Sequence, residues 1–176
     1  MSVRPYAKSI EDWMEEMEVP VAERVQMSHA DAIALPVGYG DNPKAFATSL
    51  YDFMAFVNEQ GTLNVVVCCG DEGFATLELC SVKTRLGRFL LPATIAGTVF
   101  WNILSCYIYD QAKFALPQLI QTEHEELPHY MDKPEVSFSI ILTDTTGKQQ
   151  EVVYDGPVEG IKEVEDIIKT LIDGNR

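Results

Sequence analysis

The stretch FLLPATIAGTVFWNILSCYIY, residues 89–109, decides the fold of this chain. It is the longest uncharged run in the sequence, and a charged residue bounds it on each side. A run of ~20 apolar residues is long enough to span a bilayer. Pro92 and Asn102 make this run more polar than an isolated span, however, and patterned globular sequence continues on both sides. We therefore predict a buried helix over 92–114 and keep a single membrane span through 89–109 as the alternative.

Elsewhere the spacing of apolar residues indicates an α+β fold in a single domain, 1–176. Strand-like runs on either side of two turn sequences predict two β-hairpins, at about 63–82 and 136–154, which would form an antiparallel sheet. Helical spacing predicts the helices that pack on this sheet, at about 43–60, 92–114 and 157–173.

Shorter features complete the predicted fold. Ser9 and Asp12 stand at capping-box spacing, so we expect a short N-terminal helix at 9–18. Residues 31–36 favour a short strand. Residues 121–135 are polar and contain two prolines, which indicates a loop that runs over the surface.

The charge of the chain limits its partners. The 176 residues carry a formal charge of −14. Neutralising phosphates requires clustered Lys and Arg, and the one basic cluster consists of Lys83, Arg85 and Arg88. We therefore expect no direct binding of nucleic acid, and we do not favour association with a membrane. An acidic surface favours a protein partner that has a basic surface.

The sequence contains no pattern typical of a catalytic or metal site. His124 and His129 are five residues apart, whereas the helix of a zinc protease places its histidines four apart. Gly38 and Gly40 precede a predicted helix, but they do not complete a phosphate-binding pattern. We expect no cofactor and no metal, and we favour a protein without catalysis while leaving enzyme activity open.

The cysteines indicate a reducing compartment. They are Cys68, Cys69, Cys80 and Cys106. Two adjacent cysteines in an apolar strand are poor disulfide partners, so buried and reduced thiols are expected. The start of the chain has no apolar core of signal-peptide length. Both features favour the cytoplasm.

Association with another protein is the leading functional hypothesis. The helix predicted at 92–114 carries more apolar surface than its own domain would cover, which favours a homo-oligomer or a partner interface. The chain would then be an accessory subunit, an immunity-type inhibitor or a chaperone-like binder. The residues predicted to form the interaction surface are Trp13, Met14, Met17, Phe100, Trp101, Tyr107 and Tyr109. The alternative is a small-ligand-binding protein or enzyme with a pocket between the sheet and helix 92–114.

Overall fold

The structure is a computed structural model, and it describes residues 1–38, 42–70, 76–77, 83–92, 99–115, 134–144 and 146–173. The strands are β1 (Ser2–Tyr6), β2 (Ala32–Leu35), β3 (Phe46–Ala47), β4 (Val65–Val67), β5 (Thr76–Leu77), β6 (Thr84–Pro92), β7 (Glu135–Thr143) and β8 (Gln149–Pro157). The helices are α1 (Ile10–Glu16), α2 (Val21–Ser28), α3 (Leu50–Gln60), α4 (Trp101–Ala115) and α5 (Ile161–Asp173). A 3-10 turn at Val158–Gly160 precedes α5.

The main sheet is mixed. It contains six strands in the order β1-β8-β7-β6-β2-β4. β6 runs parallel to β7, and β2 runs parallel to β4, whereas the other neighbours are antiparallel. β3 and β5 form a separate parallel pair. The predicted α+β class is confirmed, but the prediction of a purely antiparallel sheet is wrong.

Crossover helices account for the mixed sheet. α3 lies in the connection from β2 to β4, and α4 lies in the connection from β6 to β7. Parallel neighbours cannot be joined by a tight turn, so such connections usually contain a helix. The stretch 89–109 therefore divides between two elements, because β6 runs to Pro92 and α4 begins only at Trp101.

The helix predicted at 92–114 is thus wrong at Pro92, which belongs to β6, and confirmed from Trp101 onwards, whereas residues 93–98 lie outside the described residues. Proline lacks the N–H that a sheet needs, and the end of a strand tolerates that loss. Pro92 accordingly ends β6 and does not begin a helix. Across the part of the chain that the structure describes, no helix has both the length and the apolar character to cross a bilayer.

One of the two predicted hairpins is correct. β7 and β8 pair antiparallel, and the carboxylate of Asp144 accepts the backbone N–H groups of Thr146 and Lys148 at their turn. The hairpin predicted at 63–82 is wrong, because β4 pairs with β2 and β5 pairs with β3. Much of its second strand lies outside the described residues. A short apolar run does not reveal whether its partner is the next strand or one beyond a crossover.

The predicted helices are confirmed to different extents. At α1, Ser9 Oγ accepts the N–H of Asp12 at 3.1 Å, and Asp12 Oδ2 accepts the N–H of Ser9 at 2.9 Å, which completes the capping box. α5 with its 3-10 turn agrees with the helix predicted at 157–173. α3 begins at Leu50 and not at 43, because the preceding residues form a turn and β3.

Three further outcomes concern the less regular parts. The strand predicted at 31–36 is β2. Neither β1 nor α2 was predicted. Most of the loop predicted at 121–135 lies outside the described residues, and its last residue, Glu135, belongs to β7.

The two faces of the main sheet have different coverings. On one, the helix face, α3 packs on β6 and α5 packs on β8. The ring centroid of Phe53 in α3 lies 5.3 Å from those of Phe89 in β6 and Tyr107 in α4. On the opposite face, the buried Trp13 of α1 donates its indole N–H to Tyr6 Oη at 2.8 Å.

Candidate functional site

A pocket of about 190 Å³ opens on the opposite face of the main sheet. Three neighbouring strands supply its base, with Arg85, Gly87 and Arg88 from β6, Ser137, Phe138 and Ser139 from β7, and Val153 from β8. The chain around β3 supplies its wall, with Val37, Gly38, Phe46, Ala47 and Thr48. We call it the Arg85 pocket.

Two arginines reach this pocket because β6 contains a bulge. In the register with β7, Arg85 lies beside Ser137 and Arg88 lies beside Ser139. Side chains of a regular strand alternate between the faces of the sheet, so residues three apart would lie on opposite sides. The register shifts between Arg85 and Gly87, and the extra residue returns both arginines to one face. Gly87 has φ +96°, a conformation that glycine adopts without strain.

The guanidinium of Arg85 contains an unsatisfied donor. Its Nε atom is buried and has no hydrogen-bond partner among the residues that the structure describes. The ion pairs within those same residues do not include Arg85. A buried donor that lacks an acceptor costs about 1–3 kcal/mol, and more when it is charged. Native proteins keep few such groups, and each one calls for an explanation.

The neighbouring arginine, by contrast, has its partners inside the protein. Arg88 Nε lies 3.1 Å from Glu151 Oε1, and Arg88 Nη1 donates to the carbonyl of Pro36 at 3.4 Å. Glu151 is only 1% exposed, and it also accepts Arg4 Nε at 2.7 Å and Ser139 Oγ at 2.6 Å. Its carboxylate is thus well satisfied, and it holds Arg88 in place beside Arg85.

The pKa of Glu151 reflects these contacts. Burial by itself raises the pKa of this carboxyl group, but the hydrogen bonds from Ser139 and Arg4 and the charge of Arg88 lower it. The lowering effects together outweigh burial, so the pKa lies below its ordinary value. Glu151 is therefore ionised at neutral pH, and it offsets one of the positive charges around the pocket.

This lowered pKa predicts a pH-dependent stability. A carboxylate whose pKa falls on folding stabilises the native state above its unfolded pKa of ~4.3, and that contribution is lost as the pH falls through the folded pKa. The difference in free energy of unfolding between the wild type and Glu151→Gln should be constant above about pH 5 and should shrink below about pH 4. Urea unfolding of both proteins between pH 3 and 8 measures it. A difference that grows on acidification would contradict the expectation.

A second concave region lies between α3 and α4, and we call it the acidic groove. Its volume is about 340 Å³. Its charged lining residues are all acidic, namely Asp52, Glu59 and Asp110. The rings of Phe56 and Tyr107, whose centroids are 5.4 Å apart, supply the aromatic part of the lining. Burial and the neighbouring Asp52 raise the pKa of Tyr107 to about 12.

The residues predicted to form an interaction surface lie mostly in the core. Exposed fractions are at most 8% for Trp13, Met14, Met17, Phe100, Trp101 and Tyr107. Tyr109, at 37%, is the one member of the set that is accessible on this chain. Two of the aromatic rings in this set pack against the sheet, since Phe100 lies 5.3 Å from Phe89 and Trp101 lies 6.2 Å from Phe138 between ring centroids.

The cysteines do not form a nucleophilic site in the described part of the chain. Burial raises the pKa of Cys68 to about 12 and also raises that of Cys69, so both thiols are protonated at neutral pH. Cys106 is exposed, which corrects the expectation of a buried thiol there. Cys80 lies outside the described residues.

The Arg85 pocket was not predicted, although part of its signal is visible in the sequence. From the sequence, the cluster of Lys83, Arg85 and Arg88 was considered only as a possible contact for nucleic acid. Strict alternation would separate the two arginines, whereas Gly87 between them is the kind of isolated strand glycine that indicates a bulge. Lys83 lies outside the pocket lining and pairs with Glu135 at 3.5 Å and, more closely, with Asp155.

Comparisons of this chain with protein-family models, with curated proteins and with solved structures found no match. A function for the chain therefore has to be argued from its own residues. The Arg85 pocket and the acidic groove are the two regions whose shape and charge bear on that question.

Proposed function

We propose that this chain is a binding protein whose Arg85 pocket holds a small molecule through an oxyanion. The buried and unpartnered Nε of Arg85 is the observation that supports the proposal. An oxyanion accepts hydrogen bonds from a guanidinium, and such charge-assisted bonds are about twice as strong as neutral ones. Binding would therefore supply the acceptor that the described residues do not.

The surroundings of Arg85 favour a specific site over a general attraction for anions. The chain has a formal charge of −14, so its overall field repels anions. An anion that binds must gain its energy from local contacts, which here are Arg85 and the polar side chains of Ser137 and Thr48. A ligand held by one charged contact and a small buried body typically has a Kd on the order of 0.01–1 mM.

Isothermal titration calorimetry at pH 7 in low-chloride buffer tests the proposal. The probes are acetate, butyrate, benzoate, phosphate and sulfate, titrated into the wild type, Arg85→Met and Lys162→Met. Lys162 is exposed on α5, so its variant removes the same charge far from the pocket. We expect at least one probe to bind the wild type and Lys162→Met equally and Arg85→Met at least tenfold more weakly. If no probe binds, or if Arg85→Met binds as well as the wild type, the proposal is wrong.

The proposal also predicts that Arg85 is not needed for stability. Without added anion, Arg85→Met should leave the free energy of unfolding unchanged or raise it by up to ~1 kcal/mol, because it removes a buried donor that has no acceptor. Arg88→Met is the matched comparison. Its free energy of unfolding should fall by about 2–3 kcal/mol, because the substitution removes a charged partner of Glu151. Urea unfolding measures both. A loss above ~1 kcal/mol in Arg85→Met would indicate a structural role.

A second candidate function is association with a protein partner that has a basic surface. The acidic groove supports it, because Lys or Arg side chains would meet three carboxylates and two aromatic rings there, and cations are attracted to both. Self-association is the other form that this candidate takes, with the exposed Tyr109 and Tyr51 as contacts. The thiols of Cys68, Cys69 and Cys106 are free, which suits a reducing compartment such as the cytoplasm.

The partner hypothesis has its own test. A fluorescent peptide with alternating Lys and Leu residues is titrated with the wild type, with Asp52→Asn/Glu59→Gln/Asp110→Asn, and with the charge-matched control Glu11→Gln/Glu15→Gln/Glu163→Gln. Affinity should fall at least tenfold in the groove variant only, and it should weaken as salt is raised. Equal losses in both variants would show a non-specific charge effect. Sedimentation velocity of the wild type decides self-association, and a monomer at 100 μM would exclude it at that concentration.

A further inference from the structure

We infer that the ligand of the Arg85 pocket is a monocarboxylate with a short apolar body. This inference rests on the proposed function, because it names the chemical class of the anion for the same site. Four features lead to it: the shape of the available donor, the lack of phosphate-type donors among the described residues of the wall, the preference for a single negative charge, and the apolar lining around Arg85.

The charged donor that the described part of the pocket offers is one side of the Arg85 guanidinium. The buried atom of Arg85 is Nε, and Nε with the adjacent Nη forms a planar pair of parallel N–H groups. A carboxylate matches this pair with its two oxygens, so that both bonds form at once. Arg88 directs its own Nε to Glu151 and its Nη1 to Pro36, so it is already engaged with the protein on that side.

Among the residues that the structure describes, the wall of the pocket shows none of the features that usually hold phosphate. Phosphate sites commonly use several backbone N–H groups from a glycine-rich loop or a helix N-terminus. Here the N–H groups of Val37 and Gly38 both donate to the carbonyl of Ala45, at 2.9 and 3.2 Å. They are therefore engaged within the wall.

A single negative charge also suits the electrostatics better than two. The carboxylate of Glu151 lies behind Ser139 and Arg88 and is ionised at neutral pH. Each further negative charge in the pocket would be repelled by Glu151 and by the net charge of −14. A monoanion gains the contact with Arg85 and incurs the smaller repulsion.

Apolar side chains surround the charged contact. Val37 is 39% exposed at the pocket, and Ala47 and Val153 add apolar surface to the wall and the base. At ~30 Å³ for each water-sized group, the cavity of about 190 Å³ has room for roughly six such groups. The part of the ligand that fits inside the pocket is therefore a short alkyl chain or a small ring.

A chain-length series tests this inference directly. Acetate, propionate, butyrate, valerate and octanoate are titrated into the full chain at pH 7 by NMR, with 1-butanol, phosphate, sulfate and butylphosphonate as comparisons. Affinity should rise about fourfold per methylene from acetate to valerate and then level off at octanoate, where the cavity is full. Butanol, phosphate and sulfate should bind at least tenfold more weakly than butyrate.

Two variants separate the charged contact from the apolar one. Arg85→Lys keeps the charge but loses the planar pair, and it should weaken every carboxylate at least tenfold. Val153→Thr keeps the size of the side chain but adds a hydroxyl, and it should reduce the gain per methylene while leaving acetate binding within twofold.

The outcomes distinguish this inference from the proposed function on which it rests. Tighter binding of phosphate, sulfate or butylphosphonate than of butyrate would overturn the carboxylate class while the pocket remained an oxyanion site. Equal affinity for acetate and valerate would overturn the apolar body. No binding of any anion would overturn both the inference and the proposed function.

Discussion

Phe53→Ala should lower the free energy of unfolding by about 3–5 kcal/mol, the usual loss for truncating a fully buried phenylalanine. Phe53 is 0% exposed, and its ring meets three others: the centroids of Phe89, Phe100 and Tyr107 lie 5.3, 6.1 and 5.3 Å away in edge-to-face arrangements. From α3 it contacts both β6 and α4, so the cavity cannot be filled by the movement of one element.

The matched control for this prediction is Asn58→Ala on the exposed side of the same helix. Asn58 is exposed, and surface truncations of this kind usually change stability by less than ~1 kcal/mol. Equilibrium urea unfolding followed by tryptophan fluorescence compares the two variants with the wild type. If Phe53→Ala lowers the free energy of unfolding by less than ~1.5 kcal/mol, Phe53 of α3 does not pack against β6 and α4 in this way.

Glu151→Gln should lower the free energy of unfolding by about 3 kcal/mol at neutral pH. Breaking a buried ion pair by neutralising one partner typically costs ~3–5 kcal/mol, because the remaining charge stays buried without compensation. We expect the lower end of this range because only one of the two arginines is largely buried. The Arg88 side chain is 21% exposed, whereas that of Arg4 is 60% exposed and keeps much of its hydration. The variant should also loosen β1, because Arg4 joins that edge strand to Glu151 of β8.

Asp155→Asn provides the comparison for Glu151→Gln. Asp155 lies four residues further along β8 and pairs with Lys83, but its side chain is 60% exposed. Exposed ion pairs contribute about 0–1 kcal/mol. Hydrogen exchange of the β1 amides, measured on both variants, should show faster exchange in Glu151→Gln only. Equal stabilities for the two variants would mean that burial does not set the strength of the Glu151 contacts.

The sequence predicted the elements whose determinants are local. The capping box of α1 depends on Ser9 and Asp12, three residues apart, and the β7-β8 hairpin depends on the turn at Asp144. The helical spacing of α5 lies within one short segment, and these elements are confirmed.

Elements that depend on distant partners were not predictable in this way. β1 is largely exposed and shows no apolar alternation, and it becomes a strand because it pairs with β8, far away in the sequence. From the sequence alone β4 was predicted to pair with the next strand, but it pairs with β2 because α3 connects the two as a crossover. The Arg85 pocket depends on a one-residue bulge and on the register of β6 against β7, and neither is a property of one segment.

The Nε–H resonance of Arg85 reports directly on ligand binding, because this buried donor is the atom assigned to the ligand. Proton–nitrogen NMR spectra of the wild type, with Arg85→Lys used to assign the resonance, are recorded while butyrate is added at pH 7. We expect a saturable downfield shift of this proton, because the donor gains a charged acceptor, and no shift of the Nε–H of Arg24. An Arg85 resonance that does not move, or that moves only in step with Arg24, would contradict the proposed binding.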